Sequence, residues 1–185
     1  MKPLTHLLKS LRRYELTGEV NLDVTDIVFD SRQIASIVAN GGTPLYVAQR
    51  GTQTDGHKYI PQVVEAGGRV VVCEELPAEL HPEVTYVKVA DSAIALGCMA
   101  SAFHDNPSRK LKLVGITGTN GKTTTVTLLH RLFTLLGCRC GLLSTIVNKI
   151  GEDEVPATHT TPDAVELNGL LARMVAEGCE YCFME

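Results

Sequence analysis

The stretch that most constrains this chain is Gly115-Ile116-Thr117-Gly118-Thr119-Asn120-Gly121-Lys122-Thr123-Thr124-Thr125, which lies between two apolar patterns of different period. Before it, Leu111 to Thr117 reads as a buried strand. After it, Val126, Leu129, Leu132, Phe133 and Leu136 recur at helical spacing and read as a long helix that stops at Gly137. A strand that passes through a Gly-containing loop into a helix is the setting of a phosphate-binding loop. Gly118 and Gly121 allow the backbone to turn tightly and bring its N–H groups to phosphate oxygens. The helix that begins near Lys122 aims its positive dipole end at the same place. The candidate ATP-binding residues are therefore Gly118, Thr119, Asn120, Gly121, Lys122, Thr123 and Thr124. Lys122 can reach the β- and γ-phosphates and is the candidate catalytic cation; the Thr123 hydroxyl is a candidate Mg²⁺ ligand. The match is to the short form G-T-N-G-K-T-T, because the position five before Gly121 is Ile116 rather than glycine.

The rest of the chain continues the strand–helix alternation. Gly141 to Thr145 reads as a strand. Thr161-Pro162-Asp163 offers a helix start, with a capping hydroxyl, Pro at the first helical position and an acid in the first turn. That helix runs through Leu167, Leu170, Leu171 and Met174 to Gly178, and Tyr181 to Met184 is a further strand. The order predicts a parallel sheet with crossover helices. Glu185 falls at the carboxyl end of a strand, where ligands of open α/β sheets gather, and is a second candidate metal ligand. Three strands alone leave a long exposed edge, so this domain is expected to be truncated.

Upstream, Asp105-Asn106-Pro107-Ser108 is a cluster of turn formers following a helical pattern from Ser92 to Phe103. Before it, Thr25 to Phe29, Leu45 to Ala48, Arg69 to Cys73 and Val84 to Val89 read as strands, and Lys58 to Ala66 as a helix. The N-terminus reads as a short amphipathic helix carrying Leu4, Leu7, Leu8 and Leu11. The expected fold class is α/β: a small α/β domain over 1–108, then the first part of a P-loop parallel-sheet domain, an αβα layering, over 109–185.

Charge argues against a nucleic-acid partner. Of the net −4, residues 1–110 carry 11 basic and 13 acidic side chains and residues 111–185 carry 6 and 8, so neither half has a basic surplus. No apolar run approaches the ~20 residues of a membrane span. Lys9, Arg12 and Arg13 interrupt the N-terminal apolar residues, which removes the reading as a signal peptide and points to the cytoplasm. Cys138, Cys140, Cys179 and Cys182 could be drawn as a four-thiolate zinc site, but they lie in or beside apolar runs and read as buried core thiols.

The form G-T-N-G-K-T-T-T resembles the Mur ligase family and its relatives, the folylpolyglutamate and cyanophycin synthetases. Phe29-Asp30-Ser31-Arg32, followed by Gly51-Thr52-Gln53-Thr54-Asp55-Gly56-His57, is similar to the uridine-nucleotide-binding N-terminal domain of that family. The MurF branch shares this pattern. His159-Thr160-Thr161-Pro162-Asp163 and Met184-Glu185 instead resemble segments of the MurE branch.

The resemblance implies an ATP-dependent amide ligase of peptidoglycan precursor synthesis. Such an enzyme adds a diamino acid, meso-diaminopimelate or L-lysine, to UDP-MurNAc-L-Ala-D-Glu through an acyl phosphate. Phe29, Ser31, Thr52, Gln53 and Thr54 would contact the uridine end, and His159, Thr160 and Thr161 the sugar-peptide portion. Gly118 to Thr124 would hold ATP, while Thr123 and Glu185 would serve Mg²⁺. This segment alone is expected to be inactive. The chain departs from the family between Arg32 and Leu45: where a short turn is usual, it has the twelve residues Gln33 to Pro44, read as a long loop.

Plainer readings stand beside these. Ser31 can satisfy a turn, Arg32 can be a surface charge, and Thr160-Thr161 can be a helix cap. His57 reads as a partly exposed loop residue, and His130 as lying on the polar face of its helix. A P-loop switch or transport ATPase, and a non-catalytic regulatory protein on the same fold, remain as rivals. The switch predicts no pocket for a uridine nucleotide in residues 1–108.

Overall fold

Pro44–Val47 and Val70–Cys73 contain no exposed residue, and that continuous burial is what a central strand of a parallel sheet requires. The computed structural model describes residues 1–51, 54–155 and 162–185. They form two compact units, Met1–Phe103 and His104–Glu185.

The first unit comprises, in chain order, β1 (Lys2–Pro3), α1 (Leu4–Leu8), β2 (Glu15–Thr17), β3 (Asp23–Val24), β4 (Asp26–Val28), α2 (Ile34–Ala39), β5 (Pro44–Val47), α3 (Ile60–Glu65), β6 (Val70–Cys73), β7 (Thr85–Lys88) and α4 (Ser92–Phe103). Among the described residues its main sheet runs β2-β7-β6-β5-β4, with β4 to β7 parallel and β2 antiparallel at the edge. Ile34, Tyr46, Ile60, Val63, Val71 and Tyr86 belong to one buried cluster. Each large side chain of this kind contributes roughly 1.5–3 kcal/mol of burial free energy. Elsewhere in the unit α1 packs against α4, burying Leu4, Leu7 and Leu8, while Leu11 lies beyond the helix end.

Two expectations change here. Gln33 to Pro44 is not a loop: Ile34, Ile37 and Val38 fall at helical spacing and pack into the core as α2. The helix expected from Lys58 begins with a 3₁₀ turn, Gly56–Tyr59, capped by the Asp55 carboxylate, and becomes α-helical only at Ile60.

The second unit comprises β8 (Lys112–Gly115), α5 (Lys122–Leu135), β9 (Cys140–Leu143), β10 (Asn148–Ile150), β11 (Asp153–Val155), α6 (Ala164–Ala176) and β12 (Tyr181–Met184). The turn Pro107–Arg109 packs against α6 and so belongs to this unit. The described strands are ordered β11-β10-β9-β12-β8, with β9, β12 and β8 parallel. Successive residues alternate between two cores. Leu142 and Phe183 pack with Val126 of α5, whereas Leu143 and Cys182 pack with Leu170, Leu171 and Met174 of α6. One helix therefore covers each face, in an αβα layering. Phe133 sits against Tyr181 and Phe183, with ring centroids 4.8 and 5.2 Å away, and fixes α5 on its face.

The hairpin β10–β11 was not anticipated, and it makes the sheet mixed rather than wholly parallel. It turns at Gly151-Glu152, with Asn148 and Ile150 inward and Lys149 outward. The cap of α6 also differs from the sequence reading. Asp163 is the N-cap, its Oδ1 accepting the Val165 and Glu166 N–H groups at 2.8 and 2.9 Å; Thr161 lies outside the described residues. Leu132 and Leu136, which share the helical spacing, are 50% and 68% exposed. Helix α5 has two apolar stripes: Val126, Leu129 and Phe133 face the sheet, and Leu128, Leu132, Leu135 and Leu136 face outward. Cys140, Cys179 and Cys182 are buried thiols, their pKa values raised by burial. No helix among the described residues is long and apolar enough to cross a membrane.

Candidate phosphate loop and nucleotide cavity

Strand β8 ends at Gly115, and the backbone reaches α5 through Gly118 at φ +146° and Gly121 at φ +79°. Gly121 is the N-cap of α5, and among the described residues nothing beyond the adjoining backbone lies within 4 Å of where a Cβ would stand. Glycine is required there by backbone conformation, since a side chain in this region costs roughly 1–2 kcal/mol. Thr119, Asn120 and Gly121 are exposed at the helix mouth. Lys122 Nζ donates to Gly118 O at 2.7 Å, folding its charge back over the loop. Thr124 is exposed, and Thr125 Oγ1 donates to Gly121 O at 2.8 Å, bracing the first turn.

The parallel register sets Met184 of β12 between Gly115 of β8 and Leu143 of β9, so Glu185 emerges at the carboxyl ends of three strands. Its Oε2 accepts the Thr123 hydroxyl at 2.7 Å, and its Oε1 accepts the Thr145 N–H. Partial burial pushes the Glu185 carboxyl up, but the hydrogen bonds from Thr145 and Thr123 and the Lys122 charge outweigh it, leaving its pKa below the ordinary value. An ionised carboxylate and a hydroxyl beside a phosphate loop are hard oxygen donors. They suit Mg²⁺, which takes few protein ligands and completes its shell with phosphate and water. Among the described residues no cluster of three or more His, Cys, Asp or Glu is arranged to hold a metal ion.

In the first unit, Phe29, Ser31 and Thr54 line one cavity of about 850 Å³. Thr52 and Gln53, like His159, Thr160 and Thr161, lie outside the described residues. Asp30 organises one wall: it accepts the Arg32 backbone N–H at 3.0 Å and pairs with the Arg32 guanidinium at 2.7–3.1 Å. The guanidinium bond holds the Asp30 carboxyl below its usual value. Sequence reasoning missed Tyr46, Gln49, Tyr59 and Gln62, which also line the cavity. Tyr46 is buried, donates to Gly56 O at 3.0 Å, and has its pKa pushed up by burial to about 12. Phe29 and Tyr59 are 38% and 39% exposed, so with Tyr46 the cavity is lined by three aromatic side chains and two amides.

His57 is partly exposed, at 13%, with both ring nitrogens in contact with partners; His130 departs from its sequence reading. His130 is half-buried; burial lowers its pKa, and its Nε2 finds no hydrogen-bond partner among the described residues.

A strand–loop–helix phosphate cradle at the carboxyl ends of parallel strands defines the class: an α/β protein of the nucleotide-binding P-loop type. The comparisons refine this. The model "Mur ligase family, catalytic domain" matches residues 24–107, and "Mur ligase middle domain" matches residues 116–185. Together they account for most of the chain, which belongs to the Mur ligase family.

A curated relative from Bacteroides fragilis, UDP-N-acetylmuramoyl-L-alanyl-D-glutamate–2,6-diaminopimelate ligase, is 50% identical over 182 residues, 98% of this chain and 36% of the relative. The chain thus spans about a third of the length of that relative. A solved structure of a UDP-N-acetylmuramoyl-L-alanyl-D-glutamate–2,6-diaminopimelate ligase superposes with a TM-score of 0.71 at 19% identity, over 97% of this chain and 35% of that one. A MurF ligase from Thermotoga maritima in complex with ADP superposes with a TM-score of 0.53 at 22% identity, over 86% of this chain and 31% of that one.

Proposed function

We propose that the chain is the nucleotide-handling part of a MurE-type ligase, which joins a diamino acid, meso-diaminopimelate in the first instance, to the D-Glu side-chain carboxylate of UDP-MurNAc-L-Ala-D-Glu in the cytoplasm. The observation that carries this reading is 50% identity to a diaminopimelate ligase over nearly the whole chain, with the phosphate loop intact. A cavity of nucleotide size in the first unit favours it over a P-loop switch.

In this reading the loop N–H groups of Gly118 to Gly121 and the α5 dipole bind the ATP phosphates, and Lys122 leaves Gly118 O to neutralise charge on the transferring phosphoryl group. The donor set Thr123 and Glu185 would hold Mg²⁺, which when bound offsets phosphate charge. Phosphoryl transfer converts the carboxylate into an acyl phosphate; the amine then attacks the carbonyl and phosphate leaves. In the first unit, Phe29 and Tyr59 offer faces to a base and Ser31 and Thr54 offer hydroxyls; Thr52 and Gln53 are assigned to the uridine end by their place in the sequence motif. His159, Thr160 and Thr161 are assigned to the sugar-peptide portion.

The test uses a protein of the relatives' full length carrying this segment. ADP release should require both UDP-MurNAc-L-Ala-D-Glu and the diamino acid, and Lys122→Ala should lower turnover on the order of 10²–10³-fold. ADP release independent of the uridine substrate would overturn the reading.

A further inference from the structure

Both ring nitrogens of His57 are engaged, and their partners lie on two different parts of the first unit. Nδ1 is 2.6 Å from Asp55 Oδ1, while Nε2 faces the Glu74 N–H at 2.9 Å and the Glu75 N–H at 3.5 Å. A backbone N–H can only donate, so Nε2 must present its lone pair. The proton is then on Nδ1 and is donated to Asp55, which defines a neutral Nδ1–H tautomer.

The two partners explain what this does. Glu74 and Glu75 directly follow β6. Asp55 belongs to the loop that carries Gly51, Thr54 and Gly56 to the wall of the 850 Å³ cavity, whereas His57 does not line it. The loop has supports of its own: Gly51 N–H donates to Thr54 O at 2.9 Å, and Gly56 N–H to Gln49 O at 2.7 Å. A Cβ on Gly56 would stand 2.8 Å from the Gln49 backbone, so that approach needs glycine. These two supports are local to the loop, and Tyr46 Oη of β5 also donates to Gly56 O at 3.0 Å. The imidazole ties it across to the neighbouring strand. Arg50, directly before Gly51, also reaches the end of β6, pairing with the side-chain carboxylates of both Glu74 and Glu75.

We propose that His57 is a positioning residue: a neutral imidazole that fastens the cavity loop to the end of β6 and so sets the wall against which a uridine nucleotide binds. The proposal rests on the reading of that cavity as the uridine site. It gives the histidine of the D-G-H motif a role at a residue that touches no substrate.

The experiment uses the 185-residue chain, with UDP as the probe. Nitrogen NMR of the ring should show Nδ1 protonated and Nε2 unprotonated. Amide shifts on titration should give a UDP affinity that falls about tenfold or more in His57→Ala. His57→Asn retains a donor near Nδ1 but cannot reach Glu74, and should bind as weakly. His57→Gln brings a carbonyl oxygen towards the Glu74 N–H and should recover part of the loss, which a purely structural role would not produce. An Nε2–H tautomer in the wild type, or wild-type affinity in His57→Ala, overturns the proposal. Should the alanine variant not fold, equal affinities of the Asn and Gln variants overturn it. A wild-type chain that does not bind UDP sinks the nucleotide reading instead. The tie is then judged by the tautomer and by faster Glu74 amide exchange in the His57 variants, unchanged exchange overturning it.

Discussion

The Thr123 hydroxyl donates to Glu185 Oε2 at 2.7 Å, joining the first turn of α5 to the residue that follows β12. Two sequence positions 62 apart thus meet at the edge of the phosphate loop. In a full-length ligase, Glu185→Gln can still accept the Thr145 N–H through its amide oxygen, but its NH2 must donate to the Thr123 hydroxyl instead of accepting from it, and the charge is lost. Turnover should fall on the order of 10²–10³-fold, and the Mg²⁺ concentration needed for half-maximal rate should rise. Steady-state rates across a Mg²⁺ series check this; an unchanged rate and Mg²⁺ dependence would remove Glu185 from the metal site.

Acid should loosen the first unit at a definite place. Glu74 Oε1 accepts the Ser92 N–H at 2.9 Å and the Ser92 hydroxyl at 2.8 Å, at the start of α4. The bond from the Ser92 N–H, then that from its hydroxyl, hold the Glu74 carboxyl below its usual 4.5. A folded-state pKa below the unfolded one means the stabilisation is complete above 4.5 and is lost as pH falls through the folded value. Thermal melts should therefore show Glu74→Gln less stable than wild type at neutral pH, the difference shrinking as the solution is acidified below 4.5. A pH-independent difference would contradict this.

The outward stripe Leu128, Leu132, Leu135 and Leu136 is 50–77% exposed, a contiguous apolar face of the kind that drives association. The 185-residue chain should associate at tens of micromolar. Leu132→Glu with Leu136→Glu should shift it to monomer without lowering its melting temperature, because neither side chain is in the core. Sedimentation equilibrium reads the result, and a monomeric wild type at the same concentrations would count against it.

How much of this was legible in the sequence follows from the range of the interactions. The phosphate loop was, because strand, glycines, lysine and helix are contiguous. Tyr181 to Met184 was also, because burial on both faces leaves a continuous apolar run. The hairpin Asn148–Ile150 and Asp153–Val155 was not, since three-residue strands of mixed polarity carry too little pattern. Ile34, Ile37 and Val38 did show helical spacing, yet Gln33 to Pro44 was read against the family's short turn. The double stripe of α5 was legible as spacing only, because spacing reports apolar faces but not which of them meets the sheet. His57 and Tyr59 depend on contacts with β6 and with the cavity, which no local pattern encodes.

The most direct test of the account follows an atom. The D-Glu side-chain carboxylate of UDP-MurNAc-L-Ala-D-Glu is prepared with heavy oxygen and turned over by a full-length ligase carrying this segment, with ATP, Mg²⁺ and diaminopimelate. Transfer of a phosphoryl group onto that carboxylate, followed by amine attack at the carbonyl, leaves one carboxylate oxygen on the released phosphate. The account predicts one heavy oxygen in each phosphate by mass spectrometry, with label transfer lost in step with turnover in Lys122→Ala. Phosphate free of label, formed alongside the amide product, would contradict it.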